Sequence, residues 1–189
     1  MRRSHDINKF TLGLEANMVT EYKSLDKIRS ITSQRRGAID LTRASHKSFG
    51  GFDVADASGC LSYINLQYRD GKDGDKALMR KAVSCYVSDD KRQALYDDVL
   101  RIAEQCYQSK SMRARHAGNM ARVAVINTLD RSLSDAECAH IMGVAKSTYS
   151  QSHAHVFEQV AGEIAGVLSV ADDLAARYWR LCKINSESA

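Results

Sequence analysis

The chain has 189 residues, of which 44% are hydrophobic, and it carries a formal net charge of +4. This length and apolar content indicate a soluble globular protein of one domain or two small ones. No apolar run of about 18 residues is available to cross a bilayer, and the N-terminus lacks the apolar core of a signal peptide. A cytoplasmic protein with no membrane partner is expected.

Cysteine and proline usage narrow the class of protein further. The five cysteines are odd in number, widely separated and without a C-x-x-C pair. Reduced, mostly buried thiols are therefore expected rather than a disulfide framework or a cysteine zinc site. Proline is absent, whereas about 5% is usual. Because proline breaks helices, its absence favours a chain that is helical nearly throughout.

Positive charge is concentrated in two segments. Residues 1–50 carry a net charge of +5 and residues 101–150 carry +3, whereas the other two segments each carry −2. Concentrated lysine and arginine attract the phosphates of nucleic acid, although a modest surplus also arises on any solvated surface.

The N-terminal region has the apolar spacing of a long amphipathic helix over the first thirty-odd residues. Its apolar positions are Phe10, Leu14, Met18, Tyr22, Leu25 and Ile28. This period then breaks, and Gly50 and Gly51 mark a linker or hinge. We expect an N-terminal helical arm and linker over residues 1–50, followed by a helical domain over residues 51–189.

Three further helices are predicted before residue 107. The second helix covers about residues 54–68 and the third about residues 78–86. The fourth takes Ser88 as its N-cap and buries Leu95, Val99, Ile102 and Cys106. The run RDGKDGD between the second and third helices fails as a calcium loop, because Lys81 stands where a bidentate glutamate is required. A polar turn is expected there.

A basic stretch, SKSMRARHAGNMAR, follows the fourth helix and includes Arg113 and Arg115. A short apolar helix with Met120, Val123, Ile126 and Leu129 comes next. No strand signal of convincing length and no internal repeat is found. The predicted fold class is all-α, a helical bundle.

Residues 135–154, DAECAHIMGVAKSTYSQSHA, which we call the elbow, have the pattern of two helices meeting at a glycine turn. Ala139 is the small residue at the helix contact, Gly143 stands at the bend, and Tyr149 is the inward residue of the second helix. Where a further apolar residue is usual stands Ser152, with Val156 one turn later as a substitute. These features favour a helix-turn-helix at about residues 134–155.

Caps are also predicted for both helices of the elbow. Ser134 or Asp135 caps the first helix, and Glu137 completes a capping box with Ser134. Ser147 caps the second helix. This helix continues through VFEQVAGEIAGVL, and a separate final helix over residues 170–182 follows. The apolar C-terminal stripe indicates core packing, with a homodimer surface as the alternative.

On this register five residues, which we call the reader residues, project from the start of the second helix. They are Lys146, Ser147, Thr148, Ser150 and Gln151. Glutamine pairs with adenine, hydroxyls contact bases or phosphates, and Lys146 and Arg131 anchor phosphates. Arg113 and Arg115 are further candidates for DNA contact. A plain helical hairpin that uses glycine as its C-cap remains the alternative.

Catalytic and metal sites are weighed against simpler interpretations. Cys138, His140, His153 and His155 form C-x-H and H-x-H pairs, but residues two apart on a helix point about 200° from one another and do not converge on one ion. Exposed histidines are expected instead, with His153 or His155 able to touch a phosphate. No phosphate-binding glycine loop or nucleophile motif occurs. We therefore expect no enzyme activity, no catalytic residues, no metal and no cofactor.

Residues 132–168, SLSDAECAHIMGVAKSTYSQSHAHVFEQVAGEIAGVL, resemble the helix-turn-helix of phage Q antitermination proteins, itself similar to the promoter-reading region of a sigma factor. The resemblance covers about a fifth of the chain. It implies a phage-encoded factor that binds late-promoter DNA, loads onto RNA polymerase paused with its sigma factor, and lets that enzyme read through terminators. It also implies that the reader residues contact DNA.

The sequence thus favours a DNA-binding transcription regulator, with antitermination as its most concrete form. The expected partners are double-stranded DNA and, through the resemblance, bacterial RNA polymerase with sigma factor. A homodimer is a further expected arrangement. Two alternatives stay open, namely the DNA-recognition subunit of a phage packaging machine of the small terminase type and a helical protein-interaction module.

Overall fold

The computed structural model describes residues 21–37, 52–68 and 75–187, and over these ranges the chain folds as an all-α helical bundle. The predicted fold class is confirmed. The helices are α1 (Lys23–Gly37), α2 (Val54–Gln67), α3 (Lys76–Ser88), α4 (Arg92–Ser109), α5 (Ala117–Leu129), α6 (Asp135–Met142), α7 (Lys146–Thr148) and α8 (Ala154–Glu187). A 3-10 turn, Ala114–His116, precedes α5, and a π-helical turn, Tyr149–His153, joins α7 to α8.

The longest helix, α8, forms the centre of the bundle. Its 34 residues span about 50 Å at 1.5 Å per residue, and it packs against each of α1 to α5. The buried stripe repeats at three- and four-residue steps along its length, through Val156, Val160, Ile164, Leu168, Ala171 and Ala175. The predicted break before a separate final helix is wrong, because this stripe continues past residue 170 without a stop signal.

The first described helix, α1, is fastened to α8 at its start. The backbone N–H groups of Ser24 and Leu25 each donate to Oδ1 of Asp172 at 2.8 Å, so a carboxylate of α8 satisfies donors that a helix start leaves unpaired. The indole Nε1 of Trp179 donates to the carbonyl of Ser24 at 3.3 Å. Tyr22, with the α1 residues Leu25, Ile28 and Ile31, is buried in the common core.

Part of the predicted N-terminal organisation falls outside the described residues. Phe10, Leu14 and Met18 belong to residues 1–20, and Gly50 and Gly51 belong to residues 38–51. The division of the chain at about residue 50 stays a prediction. Most of the RDGKDGD run, over residues 69–74, also lies outside the described ranges.

Helix α2 and helix α3 lie where apolar spacing predicts them, but α4 starts later than expected. Ser88 is the last residue of α3, and its hydroxyl bonds the carbonyl of Ser84 at 2.9 Å and a carboxylate oxygen of Asp90 at 2.7 Å. The predicted N-cap role of Ser88 is therefore wrong. Lys91 takes the N-cap position without a side-chain hydrogen bond.

The buried face of α4 also differs in part from the prediction. Leu95 and Val99 are buried as expected, whereas Ile102 and Cys106 are only half-buried. Ala103 and Tyr107 complete the inward stripe instead.

Among the described residues, none of the helices combines the length and apolar composition that crossing a bilayer requires.

Candidate nucleic-acid interface

The first helix of the elbow, α6, begins with the predicted capping box. The Ser134 hydroxyl accepts from the backbone N–H of Glu137 at 3.4 Å, and the Ser134 backbone N–H donates to Oε2 of Glu137 at 2.9 Å. This backbone hydrogen bond, together with the Arg131 guanidinium and the Ser134 hydroxyl, lowers the pKa of Glu137 to about 2. The start of the elbow is thus fixed by local sequence, as predicted.

The bend itself is made at Gly143, whose φ of 69° and ψ of 34° lie in the left-handed region. The Gly143 N–H donates to the His140 carbonyl at 3.1 Å, and the Val144 N–H donates to the Ala139 carbonyl at 3.0 Å. This pair of bonds is a Schellman motif, which satisfies the last carbonyls of α6 and favours glycine at the left-handed position. The motif fits both a helix-turn-helix and the plain helical hairpin.

After the bend the chain re-enters a helix sooner than predicted. Only Val144 and Ala145 separate Gly143 from α7, and Ala145 occupies the N-cap position with an extended backbone. Ser147 is consequently the second residue of α7, and its predicted capping role is wrong. No side chain caps this helix start.

The helix then widens into the π-helical turn Tyr149–His153, which holds one residue more than an α-helical turn. Tyr149 and His153 are both buried, and Ser152 between them is half-buried. His153 fills the inward position four residues after Tyr149 and three before Val156, which accounts for the departure at Ser152. The prediction that His153 is exposed is wrong, and α-helical spacing alone gives no sign of the extra residue.

His153 lies at the junction of the elbow with the bundle. Its Nδ1 shares a 2.8 Å hydrogen bond with the hydroxyl of Tyr107 on α4, and its ring meets the ring of His116 edge-on with centroids 5.1 Å apart. Burial, and then the positive charge of neighbouring groups led by His116, lowers the pKa of His153. A neutral imidazole is therefore favoured at this position at neutral pH.

The outer side of the elbow carries the reader residues. Lys146, Ser147, Thr148, Ser150 and Gln151 are all exposed, while Tyr149 in their midst is 1% exposed. The side chain of Tyr149 is packed towards Phe157, with ring centroids 6.5 Å apart. The second part of the elbow thus separates an inward anchor from a polar outer face.

The basic stretch lies beside this face, which its sequence position does not reveal. Between the end of α4 and the start of α5, the chain lines one side of a cavity of about 320 Å³, and the elbow lines the other. We call this the elbow cavity. Its lining residues are Met112, Arg113, Arg115, His116, Val144, Thr148, Ser152 and His153.

Arg131 has a different setting from the other candidates. Its Nη1 lies 2.7 Å from Oε1 of Glu137, so the guanidinium is already in an ion pair at the start of α6. Both side chains are well exposed, and such pairs contribute little to stability. A phosphate at Arg131 must share or displace this carboxylate.

The described residues contain no group of three or more histidine, cysteine or acidic side chains placed to hold a metal ion.

Comparison of this chain with protein-family models, with curated proteins and with solved structures finds no match.

Proposed function

We propose that this protein is a DNA-binding transcription regulator that contacts double-stranded DNA through the outer face of the elbow. The observation that carries the proposal is the exposure of all five reader residues around the buried anchor Tyr149. Polar side chains at the start of a helix that follows a sharp bend are suited to reach base edges in a major groove.

Contacts around the elbow hold the reader residues in a fixed position for this contact. Helix α6 packs against both α5 and α7, and the amide Nδ2 of Asn119 on α5 donates to the Met142 carbonyl at 3.3 Å. Because α6 is held by α5 and α7 packs on α6 and on the π-helical turn, the reader residues are presented without a large loss of freedom on binding. In the proposal Gln151 pairs with adenine and Lys146 contacts a phosphate.

The most concrete form of the proposal is antitermination, which rests on the resemblance to phage Q proteins. In this form the protein binds late-promoter DNA and RNA polymerase with its sigma factor, and it acts in the cytoplasm of the host cell. A single elbow makes limited contacts with DNA, so polymerase or a second copy of the chain supplies a second anchor. The role is non-enzymatic and uses no cofactor.

Substitutions of two reader residues are expected to weaken DNA binding in different ways. Gln151→Ala removes a base contact, so it lowers affinity by about 1 to 3 kcal/mol for the preferred sequence and relaxes preference at one base pair. Lys146→Ala removes a phosphate contact and weakens binding to all sequences alike. Fluorescence anisotropy with a duplex selected from a random pool, at several salt concentrations, measures both effects.

Matched controls for these variants lie on α8. Gln159→Ala and Lys183→Ala change the same residue types outside the elbow, and both residues are exposed. They should leave affinity within twofold of the wild type. If both variants bound duplex as tightly as the wild type, DNA contact through the elbow would be wrong, and absence of duplex binding by the wild type would favour the protein-interaction alternative.

The antitermination form predicts added read-through by RNA polymerase. In single-round transcription from a late-promoter template, the protein should increase the fraction of transcripts that pass a terminator, and Gln151→Ala should reduce that increase. If no template shows added read-through although duplex binding is present, the polymerase role is wrong and DNA binding stands alone. A ring-shaped oligomer in light scattering would favour the packaging subunit.

A further inference from the structure

The elbow cavity brings together two parts of the chain that are about thirty residues apart. Arg113, Arg115 and His116 lie on one side, and Thr148 and Ser152 lie on the other. None of the eight lining residues is acidic. Two guanidinium groups facing hydroxyl groups are the chemistry that binds a phosphate, through charge-assisted and neutral hydrogen bonds.

A line of contacts runs from the core to the rim of this cavity. The Tyr107 hydroxyl bonds His153, the His153 ring packs on His116, and Nε of Arg115 donates to Nε2 of His116 at 3.0 Å. The last bond uses Nε of the guanidinium and restrains its plane. The two terminal nitrogens of Arg115 still carry four N–H groups, which match two oxygens of one phosphate.

We propose that the elbow cavity holds one phosphate of the DNA backbone, bound by Arg113 and Arg115 with the Thr148 hydroxyl opposite. This inference rests on the proposed function, and it adds the position of the elbow along the DNA groove. Thr148 is itself one of the reader residues, next to Ser147, so a phosphate held by its hydroxyl fixes the position of the other reader residues along the groove. The cavity thereby sets position, and the reader residues select the sequence.

Salt dependence provides the first test. In the Arg113→Gln/Arg115→Gln double variant, the slope of log affinity against log salt should become shallower by about 1, because one phosphate is no longer neutralised. Affinity for the selected duplex and for random duplex should fall by the same factor, about tenfold. Arg180→Gln, an exposed control on α8, should change neither quantity.

A neutral phosphate analogue provides the second test. In a set of duplexes, one methylphosphonate replaces the phosphate at a different position in each. The wild type should bind one of these duplexes more weakly than the unmodified duplex. The double variant should bind that duplex and the unmodified duplex equally. Arg115→Lys keeps the charge but loses the paired N–H geometry, so it should weaken binding with an unchanged salt slope. Circular dichroism checks that each variant is folded.

The outcomes separate this inference from the proposed function. If the wild type binds no duplex, both fail. If the duplex is bound but the double variant keeps the wild-type salt slope and methylphosphonate pattern, only the phosphate assignment is wrong. Saturable binding of inorganic phosphate, followed by the NMR signals of His116, together with no dependence of DNA affinity on the two arginines, would assign the cavity to a free phosphate instead.

Discussion

At the scale of single residues, His153 links folding to pH. Burial lowers its pKa, so the unfolded chain takes up a proton at higher pH than the native protein does. The free energy of unfolding therefore has its full value above the ordinary histidine pKa of about 6.5. It decreases as the pH falls below that value, because protonation favours the unfolded chain. Urea unfolding at pH 7.5 and pH 5.5 should therefore give a lower free energy of unfolding at the acidic pH.

The variant His153→Gln should flatten this dependence, because glutamine keeps a partner for the Tyr107 hydroxyl but does not titrate. His140→Gln is the matched control, since His140 is exposed on α6. Its pH dependence should equal that of the wild type. A wild-type-like loss of stability at pH 5.5 in His153→Gln would show that other groups cause it.

Sequence alone anticipates residue roles that depend on near neighbours. Examples are the capping box of Ser134 and Glu137 and the left-handed Gly143. Each involves groups within a few positions of one another, so the sequence pattern predicts it. The predictions for Ser147 and His153 are wrong because their roles depend on groups that are not near neighbours in the sequence. The start of α7 has no side-chain cap to mark it, and His153 is buried against Tyr107 of α4, which lies 46 positions away in the chain.

At the scale of elements, the contact between α2 and α8 depends on a missing side chain. A Cβ added at Gly59 would lie 2.3 Å from the hydroxyl oxygen of Tyr178, so Gly59→Ala forces the tyrosine to move. We expect the substitution to destabilise the protein by about 1 to 3 kcal/mol, as overpacking does. Thermal and urea unfolding measure this change.

A double-mutant cycle with Tyr178→Phe isolates that contact. Removing the hydroxyl relieves the shortest approach, so Gly59→Ala should cost less in the Tyr178→Phe background, where the better helix propensity of alanine partly offsets the remaining crowding. Gly162→Ala is the control, because nothing lies within 4 Å of its added Cβ. Additive effects of Gly59→Ala and Tyr178→Phe would contradict the predicted clash.

Helices with a clear apolar period are predictable as elements, and those that depend on their neighbours are less so. Three- and four-residue spacing locates α2, α3 and α5. The continuity of α8 is missed because a change in composition near residue 170 resembles a boundary, although packing against several helices keeps the stripe helical. The start of α4 is missed because Ser88 has hydrogen-bond partners within and just after α3.

At the scale of the whole molecule, α8 contacts each of α1 to α5, so we expect the described bundle to unfold as one cooperative unit. Leu168 is fully buried near the middle of α8, and Leu168→Ala should lower the free energy of unfolding by about 2 to 5 kcal/mol. Far-UV circular dichroism and Trp179 fluorescence should shift together to lower temperature, since both follow the same transition.

The control for this substitution is Leu181→Ala, because Leu181 is 49% exposed on the same helix. It should shift the midpoint much less than Leu168→Ala does. Two separate transitions in the Leu168→Ala variant, one for each probe, would show that the C-terminal part of α8 melts independently.

The all-α fold class follows from composition and periodicity, but the arrangement of the candidate interface does not. No pattern in the sequence places Arg113 and Arg115 beside Thr148. That proximity arises because α6 packs on α5 and the 3-10 turn packs on α4 and α5, which is a property of the assembled bundle. Candidate residues are therefore easier to predict singly than as a shared surface.

The π-helical turn has a consequence for how the reader face is aimed. The buried residues Tyr149, His153, Val156 and Val160 follow steps of four, three and four, so the inward stripe of α8 continues through the turn and the reader residues lie outside it. The orientation of the reader residues is thereby tied to that of the central helix. Removing a single residue there would swing that face around the axis while leaving the helices on both sides intact.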